Sequence, residues 1–242
     1  MNSISEIAKK LLDENRVSAV VGYSIGSLPN KTKTVIVKSS QQAEKLIFNN
    51  LCVNNLAIYL TKSFRLTSQK PVAVVMKGCD VKSVTGLIQE KQIEREQVFI
   101  IGVKCNGVSE DGKNLSPKCY SCKLQTPKMY DILVGEEEEK NIEFKNPFSD
   151  VEEFEKKSLD ERWNFWMNEL EKCVKCYACR QVCPLCYCEK CIVDKTVPRW
   201  IEPHTSKSSN LSWHITRAFH LAGRCTGCGE CERACHHNIP LS

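Results

Sequence analysis

Sixteen cysteines are spread through 242 residues, and they are the side chains best able to do chemistry here. Two runs share one spacing. Cys173, Cys176, Cys179 and Cys183 follow C-x2-C-x2-C-x3-C and are closed at once by Pro184. Cys225, Cys228, Cys231 and Cys235 repeat it near the end of the chain. Thiolates are soft ligands that suit iron in clusters, and this spacing is one by which proteins hold pairs of [4Fe-4S] clusters. Three cysteines on a tight loop reach three corners of one cluster. The fourth leaves the loop in another direction and ligates the other cluster. The spacing therefore assigns Cys173, Cys176, Cys179 and Cys235 to one cluster, and Cys225, Cys228, Cys231 and Cys183 to a second. Zinc knuckles would want two CxxC pairs per ion, which these runs do not supply. The second run departs in one respect: Cys235 is followed by His236-His237-Asn238-Ile239, and its proline is displaced to Pro240.

Two further groups of cysteines lie outside the runs. Cys79 and Cys105 are expected just after strands, and Cys119 and Cys122 form a CxxC in a loop. Four such ligands suffice for a zinc ion or for a third cluster, and the spacing allows both. Cys186, Cys188 and Cys191 follow directly on the first run. A further cluster, a zinc ion completed by Cys52 or His204, and free thiols beside the clusters are all open from the sequence. The same insert carries Trp200, Trp213, His214, Arg217 and His220, of which the histidines are expected to be structural hydrogen-bonders.

Hydrophobic periodicity places the elements that must hold these cysteines. A first amphipathic helix is expected over 4–15, with strands over 17–21, ended by Gly22, and over 34–37. Helices follow over 41–48 and 53–62, then a buried strand over 71–76, a helix over 81–91 and a strand over 98–103. Strand, helix and strand of this length make a βαβ unit. Ligands bind at the carboxyl ends of such strands, where Cys79 and Cys105 fall. Residues 106–128 read as loop and 132–134 as a short strand. The acidic run Glu136–Glu139 is a solvated stretch and the best domain boundary. A helical pattern over 150–172 carries Phe154, Leu159, Trp163, Trp166 and Leu170, whose aromatics are expected to pack between domains. Another over 210–222 delivers the chain to the second run. The expected architecture is an α/β N-terminal domain over 1–140, a helical linker over 141–172, and an α+β ferredoxin-like 2[4Fe-4S] domain over 173–242 with a helical insert over 185–224.

Composition narrows the class. The first residues form an amphipathic, mixed-charge stretch with neither the apolar core nor the cleavage site of a secretory signal. No apolar run approaches the roughly 18 residues of a membrane span. The expectation is a cytoplasmic protein whose cysteines are reduced and bind metal rather than form disulfides. The formal charge of +5 counts thiols as neutral. A cluster with its four thiolates carries about −2, so two clusters bring the total to about +1 and three to about −1. With no helix-turn-helix signal and no basic stripe, nucleic acid is not an expected partner. Lys175, Arg180, Lys190, Arg224 and Arg233 lie near the ligands in sequence. They read equally well as charges that raise cluster potentials and as solvated surface groups. No catalytic triad or carboxylate pair is visible.

Part of the chain resembles a known family. Gly78-Cys79-Asp80, then Ile101-Gly102-Val103-Lys104-Cys105-Asn106-Gly107, then Cys119 and Cys122, then Tyr130-Asp131-Ile132-Leu133-Val134-Gly135 look like the core of the coenzyme F420 hydrogenase/dehydrogenase beta-subunit family. Formate dehydrogenase and hydrogenase beta subunits belong to that family. The likeness spans about residues 70–135, and ferredoxin-type domains are commonly joined to such cores. It implies a [4Fe-4S] cluster, rather than zinc, at Cys79, Cys105, Cys119 and Cys122. It also implies a flavin (FAD) nearby, but the Gly-Gly-Xaa-Val-Thr stretch of members that act on the deazaflavin is absent. The expected function is therefore an iron–sulfur electron-transfer subunit that works with redox partner proteins in an oxidoreductase complex: a hydrogenase, a formate dehydrogenase or a heterodisulfide-reductase-like assembly. The alternative is a flavin-dependent oxidoreductase acting on coenzyme F420 or a related hydride carrier.

Overall fold

The computed structural model describes residues 3–63, 70–135, 144–146 and 148–241. The chain divides into two compact units, Met1–Lys145 and Asn146–Ser242. The Glu136–Glu139 run lies outside the described residues.

In the first unit, α1 (Ile4–Asp13) opens on a capping box. The Ser3 side chain accepts from the Glu6 N–H, and Glu6 reaches back to the Ser3 N–H. This satisfies donors that a helix start leaves orphaned. Ile4, Ile7, Ala8 and Leu11 form its buried face. The sheet is built from β1 (Ala19–Ile25), β2 (Thr32–Val37), β3 (Val72–Met76), β4 (Val98–Val103) and β5 (Ile132–Val134), in spatial order β2-β1-β3-β4-β5. β2 pairs antiparallel with β1, Val20 opposite Val37. The other pairings are parallel, with Val20 opposite Ala73, Val74 opposite Ile100 and Gly102 opposite Leu133. β3 is buried along its whole length, as a central strand of a parallel sheet covered on both faces must be. Its Val-Ala-Val-Val-Met sequence meets that demand.

Three expected elements come out differently. β1 runs through Gly22 to Ile25, because the bare Gly22 Cα is where Leu46 packs. The helix expected over 41–48 is a single turn, α2 (Ser40–Ala43). Ile47 is drawn into a bridge with Tyr23, its N–H on the Tyr23 carbonyl at 2.9 Å. The helix expected from 53 begins only at α3 (Ile58–Lys62). Upstream of it, the carbonyls of Cys52 and Asn54 turn inward to accept from Lys77.

The β3–β4 crossover is α4 (Gly78–Gln89), which starts two residues after β3 ends. Beyond β4 the chain loops through one turn, α5 (Pro117–Tyr120), and returns as β5. Asp131 pins that return. Its carboxylate accepts from the Ile100 N–H at 2.6 Å and from Arg95 at 2.8 Å.

The second unit is helical: α6 (Ser149–Glu155), α7 (Leu159–Glu171), α8 (Ala178–Gln181), α9 (Lys207–Leu221) and α10 (Glu230–Arg233). The pattern over 150–172 is split at Ser158, which caps α7 in a capping box with Glu161. Phe154 packs edge-on against Phe165 and Trp166 across the split. α7 lies against α9 and α8 against α10. The segment expected as a linker is thus part of this unit's body. Among the described residues no helix is long and apolar enough to cross a membrane.

Candidate functional site

In the first unit, Cys79, Cys105, Cys119 and Cys122 line one small cavity. Four separate backbone decisions bring them there. Cys79 sits in the first turn of α4, directly after β3. Cys105 follows the end of β4, and its N–H is fixed to the Gln125 carbonyl at 2.8 Å. Cys119 lies in α5, with Pro117 at its start. Cys122 follows one turn later. The segment holding Leu124 is laid over the start of α4, and only glycine allows it: a Cβ on Gly78 would stand 2.0 Å from the Leu124 carbonyl oxygen.

Backbone donors point at these sulfurs. The Val108 N–H reaches Cys119 Sγ at 3.3 Å and the Leu124 N–H reaches Cys122 Sγ at 3.4 Å. Such bonds favour the ionised sulfur. Burial opposes them, pushing the Cys79 thiol well up and the Cys105 thiol up to about 11.

Behind the cysteines lies a buried cation. Lys77 is 1% exposed. Its Nζ stands 2.7 Å from Asp80 Oδ2, donates to the Tyr23 hydroxyl at 2.7 Å, and reaches the carbonyls of Cys52 and Asn54 at 3.0 and 2.9 Å. The Tyr23 hydroxyl in turn donates to the Asn54 carbonyl. Burial disfavours the ammonium, but Asp80, Tyr23 and Cys79 outweigh it and hold Lys77 charged, well above the usual lysine range. The cavity wall therefore carries the cation of a buried ion pair, with Asp80 behind it.

In the second unit the two cysteine loops share one backbone course. Lys175 and Tyr177 are left-handed at φ 53° and 57°, as are Gly227 and Gly229 at 64° and 69°. Tyr177 precedes α8 and Gly229 precedes α10 in the same way. Alternating left-handed residues turn successive N–H groups inward, the arrangement that cradles anions. The Lys175 N–H points at Cys173 Sγ at 3.4 Å. Burial pushes the Cys173 thiol up, and the neighbouring sulfurs of Cys176 and Cys235 add to the shift. Cys183, Cys225, Cys228 and Cys231 line one cavity of about 520 Å³.

α9 holds the first loop in place. The Asn210 side chain donates to the carbonyls of Leu170 at 3.0 Å and Cys173 at 2.8 Å. Trp213 packs edge-on against Tyr177, with ring centres 5.1 Å apart. Lys175 Nζ is buried on the Glu202 carbonyl and the Ser209 hydroxyl.

Most of the cations singled out by sequence proximity are engaged elsewhere. Arg180 pairs with Asp194 at 2.8 Å and Arg233 with Glu230 at 2.6 Å. Arg224 donates to the Tyr187 hydroxyl at 2.9 Å, and Lys190 is exposed. The cation the spacing did not single out is Arg217. It is 7% exposed, lines the same cavity as Cys183 and Cys231, and leaves its Nε without a partner among the described residues. The signal was available: Asn210, Trp213, Arg217 and Leu221 repeat at helical spacing, and all are buried. Lys77 likewise announces itself by standing beside Gly78 and Cys79.

The third group is not gathered. Cys186 sits against Cys183, Cys191 beside Arg180, and Cys188 is exposed. His204 is a surface group 3.9 Å from Glu202. Cys52 is buried in the first unit, and its Sγ accepts from the Asn49 N–H at 3.4 Å.

The donor chemistry fits iron–sulfur clusters. The donor set in each place is thiolate alone, soft sulfur that suits iron in clusters. Among the described residues no carboxylate pairs with the buried, always-charged guanidinium of Arg217; an anion in the 520 Å³ cavity would balance it, and a thiolate-ligated cluster carries such a charge. In the first unit the space between the sulfurs is narrow, about 20 Å³, and the residues that would hold a cluster there are Cys79, Cys105, Cys119 and Cys122.

Fold and cysteine placement define the class: an α/β unit with cysteines at the carboxyl ends of its parallel strands, followed by a helical unit with a duplicated cysteine loop. No protein-family model matches the chain. It is 23% identical to the F420-dependent formate dehydrogenase subunit beta of Methanocaldococcus jannaschii, over 99% of this chain and 86% of that protein. It is 20% identical to the F420-dependent formate dehydrogenase 1 subunit beta of Methanococcus maripaludis, over 78% of this chain and 73% of that one. The chain is thus a homologue of F420-dependent formate dehydrogenase beta subunits, as the motifs over 78–135 suggest. Among solved structures, a chain of the F420-reducing [NiFe] hydrogenase complex from Methanosarcina barkeri matches at a TM-score of 0.35 and 17% identity. That match covers 43% of this chain and 37% of the other.

Proposed function

We propose that this chain is the iron–sulfur electron-transfer subunit of an oxidoreductase complex related to the F420-dependent formate dehydrogenases. The observation that carries the proposal is the convergence of Cys79, Cys105, Cys119 and Cys122, from three chain segments, on one cavity at the carboxyl ends of β3 and β4. These four would hold one [4Fe-4S] cluster. Cys173, Cys176, Cys179 and Cys235 would hold a second, and Cys225, Cys228, Cys231 and Cys183 a third. Bound there, clusters supply one-electron transfer over a wide range of potentials.

The chain's own groups do the remaining work. N–H donors to Cys119, Cys122 and Cys173 stabilise ionised sulfur. Arg217 offsets negative charge that water does not reach, and the Lys77–Asp80 pair fixes the wall behind the N-terminal cysteines. α9 keeps the first loop in register. The partners are redox proteins of such a complex, in the manner of the subunit relatives, and the setting is the reducing cytoplasm.

The test is iron and acid-labile sulfide per chain after anaerobic purification, in the wild type and in Cys79→Ser. About 12 irons are expected, falling by about a third in the variant. About 8 in both would remove the N-terminal cluster from the proposal, and zinc there in place of iron would refute it.

A further inference from the structure

Arg217 occupies a place that neither packing nor ion pairing explains. Its helix, α9, belongs to the segment between the two cysteine runs. Asn210 and Trp213 on the same face hold the first loop, and Arg217 stands one turn beyond them. Sulfurs of both donor sets stand around it: Cys183 and Cys231 line its cavity, and Cys179 is packed with Cys231 in the cluster around Trp213. No carboxylate is among them. The other polar groups nearby do not share its position. His214 is held neutral, its imidazole brought down to about 4 first by burial and then by Arg217 itself. Lys175 spends its ammonium on the Glu202 carbonyl and the Ser209 hydroxyl.

We propose that Arg217 is a fixed positive charge shared by the two C-terminal cluster sites, setting their reduction potentials together. The proposal rests on the reading that both sites hold [4Fe-4S] clusters. Reduction adds one negative charge to a cluster, and a desolvated cation beside two clusters favours that step at each. Charge and burial are levers by which a protein sets cluster potential. One side chain placed between two sites couples them without a ligand in common.

The experiment compares the whole chain, purified anaerobically, as wild type, Arg217→Met and Arg217→Lys. Iron and sulfide are counted, and the reduced signals are followed by EPR during potentiometric titration. In Arg217→Met both C-terminal signals are expected to become harder to reduce, at least tenfold in the reduced-to-oxidised ratio at fixed potential, or about 59 mV for a one-electron couple. The N-terminal signal stays where it was. Arg217→Lys restores most of the shift. Full iron in Arg217→Met with neither potential moved, or with only one moved, overturns the proposal. Should Arg217→Met lose iron, retention at both sites in Arg217→Lys supports the shared charge, and loss in both variants overturns it in favour of shape. Wild-type protein without iron at these sites defeats the cluster reading instead.

Discussion

Gly78→Ala puts the geometry of the N-terminal site to a direct test. Position 78 opens α4, and alanine is the better helix former there by about 1 kcal/mol. Local preference alone therefore forecasts a gain in stability. The contact forecasts the opposite. The added Cβ would meet the Leu124 carbonyl oxygen at 2.0 Å, its carbonyl carbon at 2.9 Å and its Cβ at 3.0 Å. These are backbone and Cβ atoms that cannot rotate away, so the Leu124 segment must move by more than an ångström. Overpacking of this kind costs about 1–3 kcal/mol and sometimes more, which exceeds the helix gain. The moving segment carries the N–H on Cys122 and, one residue on, the carbonyl that fixes the Cys105 N–H. Two of the four cysteines lose their positioning together. The expected result is a lower unfolding midpoint and a loss of about a third of the iron, with the signals of the C-terminal clusters intact. A Gly78→Ala protein with full iron and unchanged or raised stability would refute this account of how the four cysteines are brought together.

Three further expectations follow from the same contacts. Lys77→Met leaves Asp80 buried without its cation and should cost about 3–5 kcal/mol in chemical denaturation. The double variant Lys77→Met/Asp80→Leu should recover much of that loss. Asn210→Ala strips the Leu170 and Cys173 carbonyls of their donor and should cost about 1–3 kcal/mol; iron analysis should show loss from the first loop before the second. In protein prepared without iron, the Cys105 thiol rises from 9.0 to about 11 on folding because of burial. The folded state keeps a proton that the unfolded chain releases. Stability from this group is whole below about pH 9 and declines toward pH 11 by roughly 2–3 kcal/mol. Urea titrations at pH 8 and pH 10.5 would show it.

Much of this arrangement can be read from the chain. The Val-Ala-Val-Val-Met run could only be a buried strand, and the cysteines just beyond β3 and β4 fall where an open parallel sheet presents its ligands. What could not be read has a physical cause in each instance. Residues 41–48 have a helical pattern, but Ile47 gains a sheet hydrogen bond to Tyr23 that a helix would forfeit. Residues 53–57 stay irregular where two distant lysines take carbonyls, Lys77 that of Asn54 and Lys118 that of Val53. Neither Lys77 nor Arg217 is marked as a buried cation by the sequence, for a shared reason. Composition places Lys and Arg outside, and only the assembled packing reveals a charge with no route to water.

The two C-terminal loops show where the insert acts. Both follow the same left-handed course, yet the second uses Gly227 and Gly229 where the first uses Lys175 and Tyr177. A left-handed residue with a side chain costs about 1–2 kcal/mol, so the first loop begins at a disadvantage that the second does not share. Compensating contacts come from the insert: Glu202 and Ser209 on Lys175, Trp213 on Tyr177, Asn210 on the Cys173 carbonyl. Two loops of equal shape thus reach it by different means, one through glycine and one through a clamp. The clamp is also the element that lodges Arg217 among the sulfurs of both sets. A change that loosens α9 should therefore disturb the first loop's shape and the charge felt at both sites, while leaving the second loop's backbone as it is.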